Sequence, residues 1–352
     1  MRVSTNRAWV VVDLGNLIAN ARAVQAAAGG VPLLPVVKAD AYGLGAVRVA
    51  RALERLNPWG FAVATLVEGI ELREAGISRP ILVFTPASLE QLPPFAEFDL
   101  RAVLDDPDIA LKWSRPFHLE VDTGMGRCGV QWDEKDTLRR FDGAAVEGAF
   151  THFYAADEGE ALVQVQWERF KAAIGWLGRR PSLIHAPNSA GAWRLRERVD
   201  LVRPGIFLYG GEHAPDLPRP RPVISVRAPV VSVRRVPAGA TVSYGGEWAA
   251  PRETTVATLG IGYADGLARL VAGKAHVLVH GRRRPVVGRV TMDFIMIDAG
   301  DDAVRVGDVA TVVGREGDEE ITIDQMAAWS QTIGYEPLTR LKTRMSREYI
   351  GE

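Results

Sequence analysis

Residues 33–45 read LLPVVKADAYGLG, an apolar run that ends on Lys38 and opens into a loop. Such a run, with helix-like sequence after it, is typical of a parallel strand that is buried on both faces. The chain has six lysines against 36 arginines, so a lysine at this position points to a need for its amine. Partial desolvation favours the neutral, nucleophilic amine, which is the chemistry of a Schiff base with a carbonyl or with pyridoxal phosphate. A lysine that simply reaches solvent at the strand exit is the alternative, and this segment alone leaves both open.

Composition argues against several classes of protein. With 352 residues and a formal net charge of −1, the chain can form a barrel with an addition, and it lacks a basic nucleic-acid footprint. Its one cysteine, Cys128, cannot form an intrachain disulfide, and residues 1–7 lack the apolar core of a signal peptide. No apolar run approaches the ~18 residues of a membrane span, and no histidine and carboxylate spacing typical of a metal site occurs. We therefore expect a cytoplasmic protein with no metal, no membrane segment and no nucleic-acid partner.

Between about residues 13 and 209, short apolar runs alternate with longer amphipathic stretches. Eight parallel strands with intervening helices indicate a (β/α)8 TIM-type barrel, which builds its site at the carboxyl ends of its strands. A doubly wound sheet is the second possibility, but no dinucleotide-type glycine loop opens the first helix. The predicted strands are 33–38, 60–64, 81–84, 100–104, 117–121, 146–150, 182–185 and 201–203. Polar residues follow several of them, namely Lys38, Asp122, His152, His185 and Arg203.

The character of the sequence changes after Gly210. Four prolines between residues 215 and 222 are typical of a linker, and valine-rich runs with short turns follow. These runs predict a mostly-β domain over residues 221–352, after an α/β barrel over residues 8–215. A first strand near residues 8–13 is a candidate member of the second domain. The predicted β-domain strands are 230–236, 254–260, 276–279, 286–290 and 310–313.

Three further segments of the barrel combine strand ends with groups that bind anions. Guanidinium groups bind carboxylates or phosphates in a two-pronged manner, and helix N-termini and successive backbone N–H groups bind phosphate. Taken singly, each segment is also compatible with an ordinary turn, cap or surface arginine. The residues are Arg127 in a glycine-rich loop, Asn188-Ser189 ahead of a helix, and Arg203-Pro204-Gly205-Ile206 at a strand end.

Together these segments resemble the alanine racemase family, which pairs a pyridoxal-phosphate-binding barrel with a β domain. The resemblance runs from about residue 8 to residue 349, with the motifs in the same order. The motifs are Val37-Lys38-Ala39-Asp40-Ala41-Tyr42-Gly43, the loop from Asp122 to Arg127, Asn188-Ser189, Arg203-Pro204-Gly205 and Val242-Ser243-Tyr244-Gly245.

The resemblance implies an amino-acid racemase that interconverts L-alanine and D-alanine and supplies D-alanine for peptidoglycan. It implies pyridoxal 5'-phosphate as the cofactor and a homodimer in which the β domain of each subunit contributes to the partner's site. Two catalytic bases are implied, Lys38 and Tyr244 of the partner subunit. The implied cofactor-binding residues are Lys38, Tyr42, His152, Asn188, Ser189, Arg203, Gly205 and Ile206. The implied substrate-binding residues are Arg127 and Met292, and the implied entrance residues are Tyr263 and Asp293.

Two positions depart from the family pattern. Glu120 stands where many members have a carbamylated lysine, and it could supply the same negative charge to Arg127 without carbon dioxide. Thr343, in the segment Lys342-Thr343-Arg344, stands where the family often has a tyrosine beside the site. We expect a smaller side chain there to widen the pocket, so a racemase of broader specificity, acting on serine or other amino acids, is the alternative. A barrel-only carrier of pyridoxal phosphate would leave the β domain and the Tyr244 segment unexplained.

Overall fold

The computed structural model describes residues 7–341 and 343–352, which form two compact units. One unit lies within residues 7–17, 209–211 and 221–352 apart from residue 342, and the other within residues 18–208 and 212–220. Residues 1–6 and Lys342 lie outside the described residues. Most of the segment on which the absence of a signal peptide is predicted is therefore not described. Among the described residues, no helix has both the length and the apolar composition needed to cross a bilayer.

Six parallel strands form the continuous part of the barrel sheet. Two short segments complete the ring through single bridges, Val36 to Ala62 on one side and Leu33 to Val202 on the other. The Arg203 N–H also donates to the Pro187 carbonyl at 2.9 Å. The strands, in sheet order, are Phe61–Val63, Ile81–Pro86, Arg101–Val103, Phe117–Asp122, Val146–Phe150 and Leu183–His185, and the two-residue strand Val130–Gln131 pairs with Phe117–Asp122. The predicted fold class, an α/β barrel with a C-terminal mostly-β domain, is confirmed.

The first and last predicted strands are reduced to bridges for a local reason. Pro32, Pro35 and Pro204 have no backbone N–H, so these segments cannot sustain a continuous ladder of hydrogen bonds. The first segment also ends before Lys38, which opens the helical element Lys38–Gly43 instead of closing a strand. The predicted strand 33–38 is therefore wrong in its last residue.

Helices alternate with the barrel strands, as the amphipathic stretches predicted. Thr65 begins one of them with a capping box, in which its side chain and that of Glu68 accept from each other's backbone N–H. The helices of this region are Leu14–Ala27, Ala46–Glu54, Leu66–Glu74, Leu92–Glu97, Pro107–Ala110, Lys135–Arg139, Glu160–Ile174 and Gly191–Arg194.

The β domain is built on a nine-stranded, mostly antiparallel sheet. The strand Ile224–Val236 is long enough to pair with three neighbours, including Trp9–Asp13 and Val309–Glu316. The sheet order is Glu319–Ile321, Val309–Glu316, His276–Val279, Arg282–Val287, Ile295–Gly300, Thr254–Leu259, Ile224–Val236, Trp9–Asp13 and Ser346–Ile350. A two-stranded sheet, Thr241–Val242 with Trp248–Ala249, and the helices Ile323–Trp329 and Tyr335–Thr339 accompany it.

His213 is a buried imidazole packed between aromatic rings. Its ring centroid lies 4.9 Å from that of Trp193 and 4.7 Å from that of Phe207. Neither ring nitrogen has a hydrogen-bond partner in the described part of the chain. Burial, and next the Arg194 cation, lower the pKa of His213 to about 4. Because the unfolded pKa is higher, its stabilising contribution is complete above about pH 6.5 and is lost as the pH falls towards 4.

Replacing His213 by phenylalanine should flatten the acid side of the stability profile. Between pH 7.5 and pH 5 the wild type should lose on the order of 1–2 kcal/mol more of its unfolding free energy than His213→Phe, since the variant has no imidazole to protonate. Urea unfolding at the two pH values measures the difference. His276→Phe, at a half-buried site in the β domain, is the control, and equal losses in all three proteins would contradict the assignment.

Candidate active site

Lys38 lies at the carboxyl end of the first barrel segment and is half-buried. Burial is the main cause that lowers the pKa of its amine, and the Arg127 cation lowers it further, while the Glu68 carboxylate acts in the opposite direction. A lowered pKa increases the fraction of neutral amine near neutral pH, and only the neutral amine is a nucleophile or a base.

Residues 39–42 form a left-handed turn directly after Lys38, with φ between 53° and 55°. For non-glycine residues this conformation costs roughly 1–2 kcal/mol each, so contacts from elsewhere must hold it. The Asp40 side chain supports the turn, because its Oδ1 accepts from the Ala46 N–H at 2.8 Å. Backbone strain of this kind next to a desolvated lysine is typical of a functional site.

Tyr42, Ser189 and Gly205 meet at a second part of the same rim. The Gly205 N–H donates to Ser189 Oγ at 3.0 Å, and a Cβ on Gly205 would lie 2.6 Å from the Tyr42 hydroxyl oxygen. Ile206 follows in the same turn and opens the short helix Ile206–Tyr209. Two buried hydroxyl groups and a close backbone without a Cβ form a polar cradle of the kind that receives a phosphate.

Asn188 is engaged in local structure. Its Oδ1 accepts from the Gly191 N–H at 2.9 Å, and its Nδ2 donates to the Phe153 carbonyl at 3.2 Å. These bonds fix the start of the helix Gly191–Arg194 beside Ser189. A direct contact of Asn188 with the cofactor stays a prediction.

Arg203 is a buried cation in the interior of the barrel. Its Nη1 donates to the His185 carbonyl at 2.6 Å, and its Nη2 donates to the Thr151 carbonyl at 2.7 Å. Its guanidinium carbon also lies 5.1 Å from the centroid of the Phe150 ring. Burial lowers its pKa to about 10, with Glu120 acting against that shift, so the side chain still carries its charge near neutral pH.

Two histidines continue from Arg203 through the barrel. Arg203 Nη1 lies 3.1 Å from His185 Nδ1, and His185 Nε2 lies 2.8 Å from His118 Nδ1. A guanidinium can only donate, so His185 must accept at Nδ1 and carry its proton at Nε2. His118 must then accept at Nδ1, which leaves its Nε2–H 3.6 Å from Glu147 Oε2. Both imidazoles are therefore neutral, and the bonds run in one direction away from Arg203.

His152 stands among the cations of the site. Burial is the largest cause that lowers its pKa to about 3, and Arg203, Arg127 and Lys38 lower it further in that order. His152 is thus neutral near neutral pH and can accept or donate one hydrogen bond without adding charge.

Arg127 is half-exposed, and its guanidinium lies close to the buried carboxylate of Glu120. The distance from Arg127 Nη2 to Glu120 Oε1 is 4.0 Å, and Glu120 is 5% exposed. Burial raises the pKa of Glu120, while Arg127 and then Arg203 lower it. Asp122 shapes the glycine-rich loop by accepting from the Gly124 and Gly126 N–H groups at 2.8 and 2.9 Å.

The candidate residues of the β domain lie on its exposed surface. Tyr244 is 70% exposed and Met292 is 53% exposed. The Ala264 N–H donates to the Met292 carbonyl at 3.0 Å, so Met292 is joined to the segment of Tyr263. Asp293 Oδ1 accepts from Arg344 Nη2 at 2.7 Å, so Asp293 is held in an ion pair at this surface.

Sequence reasoning missed two residues of the barrel site. His118 lies within a strand rather than after one, but it alternates with Glu120 and Asp122 on one face, and that period of two was a usable signal. Glu68 lies outside the quoted motifs, and only its Thr65-x-x-Glu68 capping box marked it. No cluster of three or more histidine, cysteine or carboxylate groups suited to a metal occurs within the described ranges.

Comparison with known proteins bears on both units. A model described as alanine racemase, N-terminal domain, matches residues 12–213, and one described as alanine racemase, C-terminal domain, matches residues 223–349. The chain is 39% identical over 365 residues to the alanine racemase of Carboxydothermus hydrogenoformans, covering 97% of this chain and 99% of that relative. It is 40% identical over 353 residues to the alanine racemase of Deinococcus deserti, covering 97% and 98%.

Solved structures agree over almost the whole chain. Alanine racemase from E. faecalis superposes with a TM-score of 0.91 at 34% identity, covering 99% of this chain and 100% of that chain. Alanine racemase from Bartonella henselae, solved with covalently bound pyridoxal phosphate, has a TM-score of 0.89 at 28% identity and covers 98% and 99%. With both domains matched in order and at full length, the chain belongs to the alanine racemase family of isomerases.

Proposed function

We propose that this chain racemises alanine with pyridoxal 5'-phosphate bound to Lys38 and with a second base, Tyr244, supplied by the partner subunit. The observation that carries the proposal is the placement of Lys38, which is half-buried where the first barrel segment ends and is followed directly by a left-handed turn. Burial and Arg127 lower the pKa of its amine. A solvent-exposed structural lysine would not need a buried strand end and a strained turn to place it.

The residues of the barrel fit this cofactor. Lys38 would hold the aldehyde carbon, and the cradle of Tyr42, Ser189, Gly205 and Ile206 would hold the phosphate. The cradle fits because Gly205 leaves free the space that a Cβ would fill against the Tyr42 hydroxyl. When bound, pyridoxal phosphate withdraws electrons from the α-carbon of an amino acid and so makes the α-hydrogen acidic.

Inversion of a stereocentre requires one group to remove a proton on one face and another to return a proton on the other. The neutral Lys38 amine would serve one face. Tyr244 of the partner subunit would serve the other, as the family resemblance implies. A phenol must lose its proton before it can act as a base, so the phenolate needs a hydrogen-bond donor nearby, and neutral His152 is suited to that role.

Arg203 would face the ring nitrogen of the cofactor. Its charge persists because a pKa of about 10 is far above neutral pH, so its N–H groups donate hydrogen bonds but do not give up a proton. The carbonyls of Thr151 and His185 fix its guanidinium, which keeps that donor in one place.

The substrate carboxylate would be bound by Arg127 and by the backbone N–H of Met292 of the partner subunit. Glu120, 4.0 Å from Arg127, would supply the negative charge that orients this guanidinium. Tyr263 and Asp293 would line the entrance to the site.

Exposure of the β-domain residues supports a shared site in a homodimer. Tyr244, at 70% exposed, has too much solvent around it to act as a shielded base in an isolated chain. Phe294 and Met292 add exposed apolar side chains nearby in the sequence. The Tyr244 segment is tied to this region because Ser243 Oγ donates to the Arg289 carbonyl at 2.7 Å. The product, D-alanine, would supply peptidoglycan synthesis, and a cytoplasmic location stays a prediction.

Removal of either base should slow racemisation strongly, but the two variants should differ in hydrogen exchange. Lys38→Ala and Tyr244→Phe should each lower D-alanine formation from L-alanine by about 10²- to 10⁴-fold. In D₂O, Tyr244→Phe should still exchange the α-hydrogen of one alanine enantiomer, because Lys38 remains. An oxidase-coupled assay and proton NMR measure the two effects. Lys274→Ala and Tyr335→Phe are matched controls, and a site variant as active as its control would contradict the two-base assignment.

Thr343 is expected to set the tolerance for larger substrates. Thr343→Tyr should lower kcat/KM for L-serine relative to L-alanine by roughly tenfold, because a phenol ring narrows the pocket by more than a hydroxymethyl group. Turnover of both amino acids measures the ratio, with the exposed Thr339→Tyr as control. An unchanged ratio would show that Thr343 does not line the substrate pocket.

A further inference from the structure

We propose that Glu68 is the positioning residue of Lys38: its carboxylate clamps the left-handed turn that follows the lysine. The inference deepens the proposed function, because it rests on the role of Lys38 as the cofactor lysine. Glu68 itself does not touch the reacting atoms in this account.

Both oxygens of the Glu68 carboxylate are used. Oε1 accepts from the Ala39 N–H at 2.7 Å, and Oε2 accepts from the Ala64 and Thr65 N–H groups at 2.8 and 3.0 Å. One side chain thereby ties the turn after the first barrel segment to the junction between Phe61–Val63 and Leu66–Glu74. A capping glutamate needs only the second set of bonds, so the bond to Ala39 is additional to capping.

The point of attachment explains why this bond matters. Ala39 is bonded covalently to Lys38 and is the first of the four left-handed residues 39–42. Such a run of L-residues relaxes towards ordinary dihedral angles unless outside contacts oppose it. If the Ala39 contact is lost, the relaxation rotates the peptide that carries Lys38, and the amine moves with it.

Charge gives Glu68 a second effect on the same amine. The groups that act on Lys38 are Arg127, which favours its neutral form, and Glu68, which favours its charged form. The Lys38 cation also lowers the pKa of His152, which is itself neutral near neutral pH. The Glu68 carboxylate thus opposes the lowering of the Lys38 pKa by the Arg127 cation.

An isosteric change separates these effects from general loss of structure. Glu68→Gln removes the charge and places an amide N–H₂ against a backbone N–H donor on one of the two sides. Glu71→Gln, an exposed position on the same helix, alters net charge equally and is the matched control. A double variant, Ala39→Gly with Glu68→Gln, tests the turn separately from the charge. Glycine adopts the left-handed conformation without strain, but it does not replace the lost carboxylate.

The first measurement is the Lys38 pKa in the full-length chain without added cofactor, by NMR of ¹³C-methylated lysines, with Lys38→Ala to identify the signal. Six lysines make the spectrum assignable. Glu68→Gln should lower the Lys38 pKa further, since burial and the Arg127 cation are then unopposed, whereas Glu71→Gln should leave it unchanged. This readout needs neither cofactor nor turnover, so it stands even if the chain were not a racemase. An unchanged Lys38 pKa in Glu68→Gln would overturn the placement of Lys38 by Glu68, because neither the charge nor the turn would then act on the amine.

The second measurement is the rate at which added pyridoxal phosphate is captured, taken on the high-pH plateau where the amine is neutral in every variant. Glu68→Gln should lower the plateau rate about tenfold, and Ala39→Gly in the same chain should restore most of it. A plateau rate equal to that of Glu71→Gln would overturn the clamp. A lowered rate that the glycine fails to restore would also overturn it, because the turn would not be the cause. If Glu68→Gln folds poorly, the double variant still carries the pKa measurement.

Discussion

The desolvated amine of Lys38 is the constraint on which the rest of the site depends. Burial and a neighbouring cation both lower the pKa of a lysine and so favour its neutral amine. Both act on Lys38, where the first barrel segment ends. The cost is a strained backbone, since the four residues that follow are left-handed without a glycine among them. Two hydrogen bonds offset part of this cost, from the Ala39 N–H to Glu68 and from the Ala46 N–H to Asp40.

Polar groups inside the barrel are arranged so that Arg203 keeps its positive charge while the histidines around it stay neutral. His185 and His118 can each carry only one proton, because Arg203 dictates the direction of every bond that leaves it. His152 stays neutral for a different reason, since three cations and burial oppose its protonation. A ring nitrogen placed beside Arg203 would thus meet a donor that does not transfer its proton.

Sequence patterns predicted the barrel and the β domain well, because apolar runs of strand length recur between amphipathic helices. They placed Lys38 where the first barrel segment ends, although that segment forms single bridges instead of a strand and Lys38 opens the next element. The left-handed turn was beyond them, since Ala39 and Tyr42 have no intrinsic preference for it. The Ala39 N–H in this turn donates to Glu68, which comes from another strand–helix junction. The interior pairing of His118 with His185 was likewise hidden, because it joins two strands that are separated by a third. Long-range contacts of this kind follow from barrel closure, which local patterns do not encode.

The most direct test of the central claim is chemical. The chain is loaded with pyridoxal phosphate, reduced with borohydride, digested with a protease and mapped by mass spectrometry. The account predicts the pyridoxyl mass on the peptide that contains Lys38 and on none of the other five lysines. A label spread over several lysines, or its absence from Lys38, would contradict it.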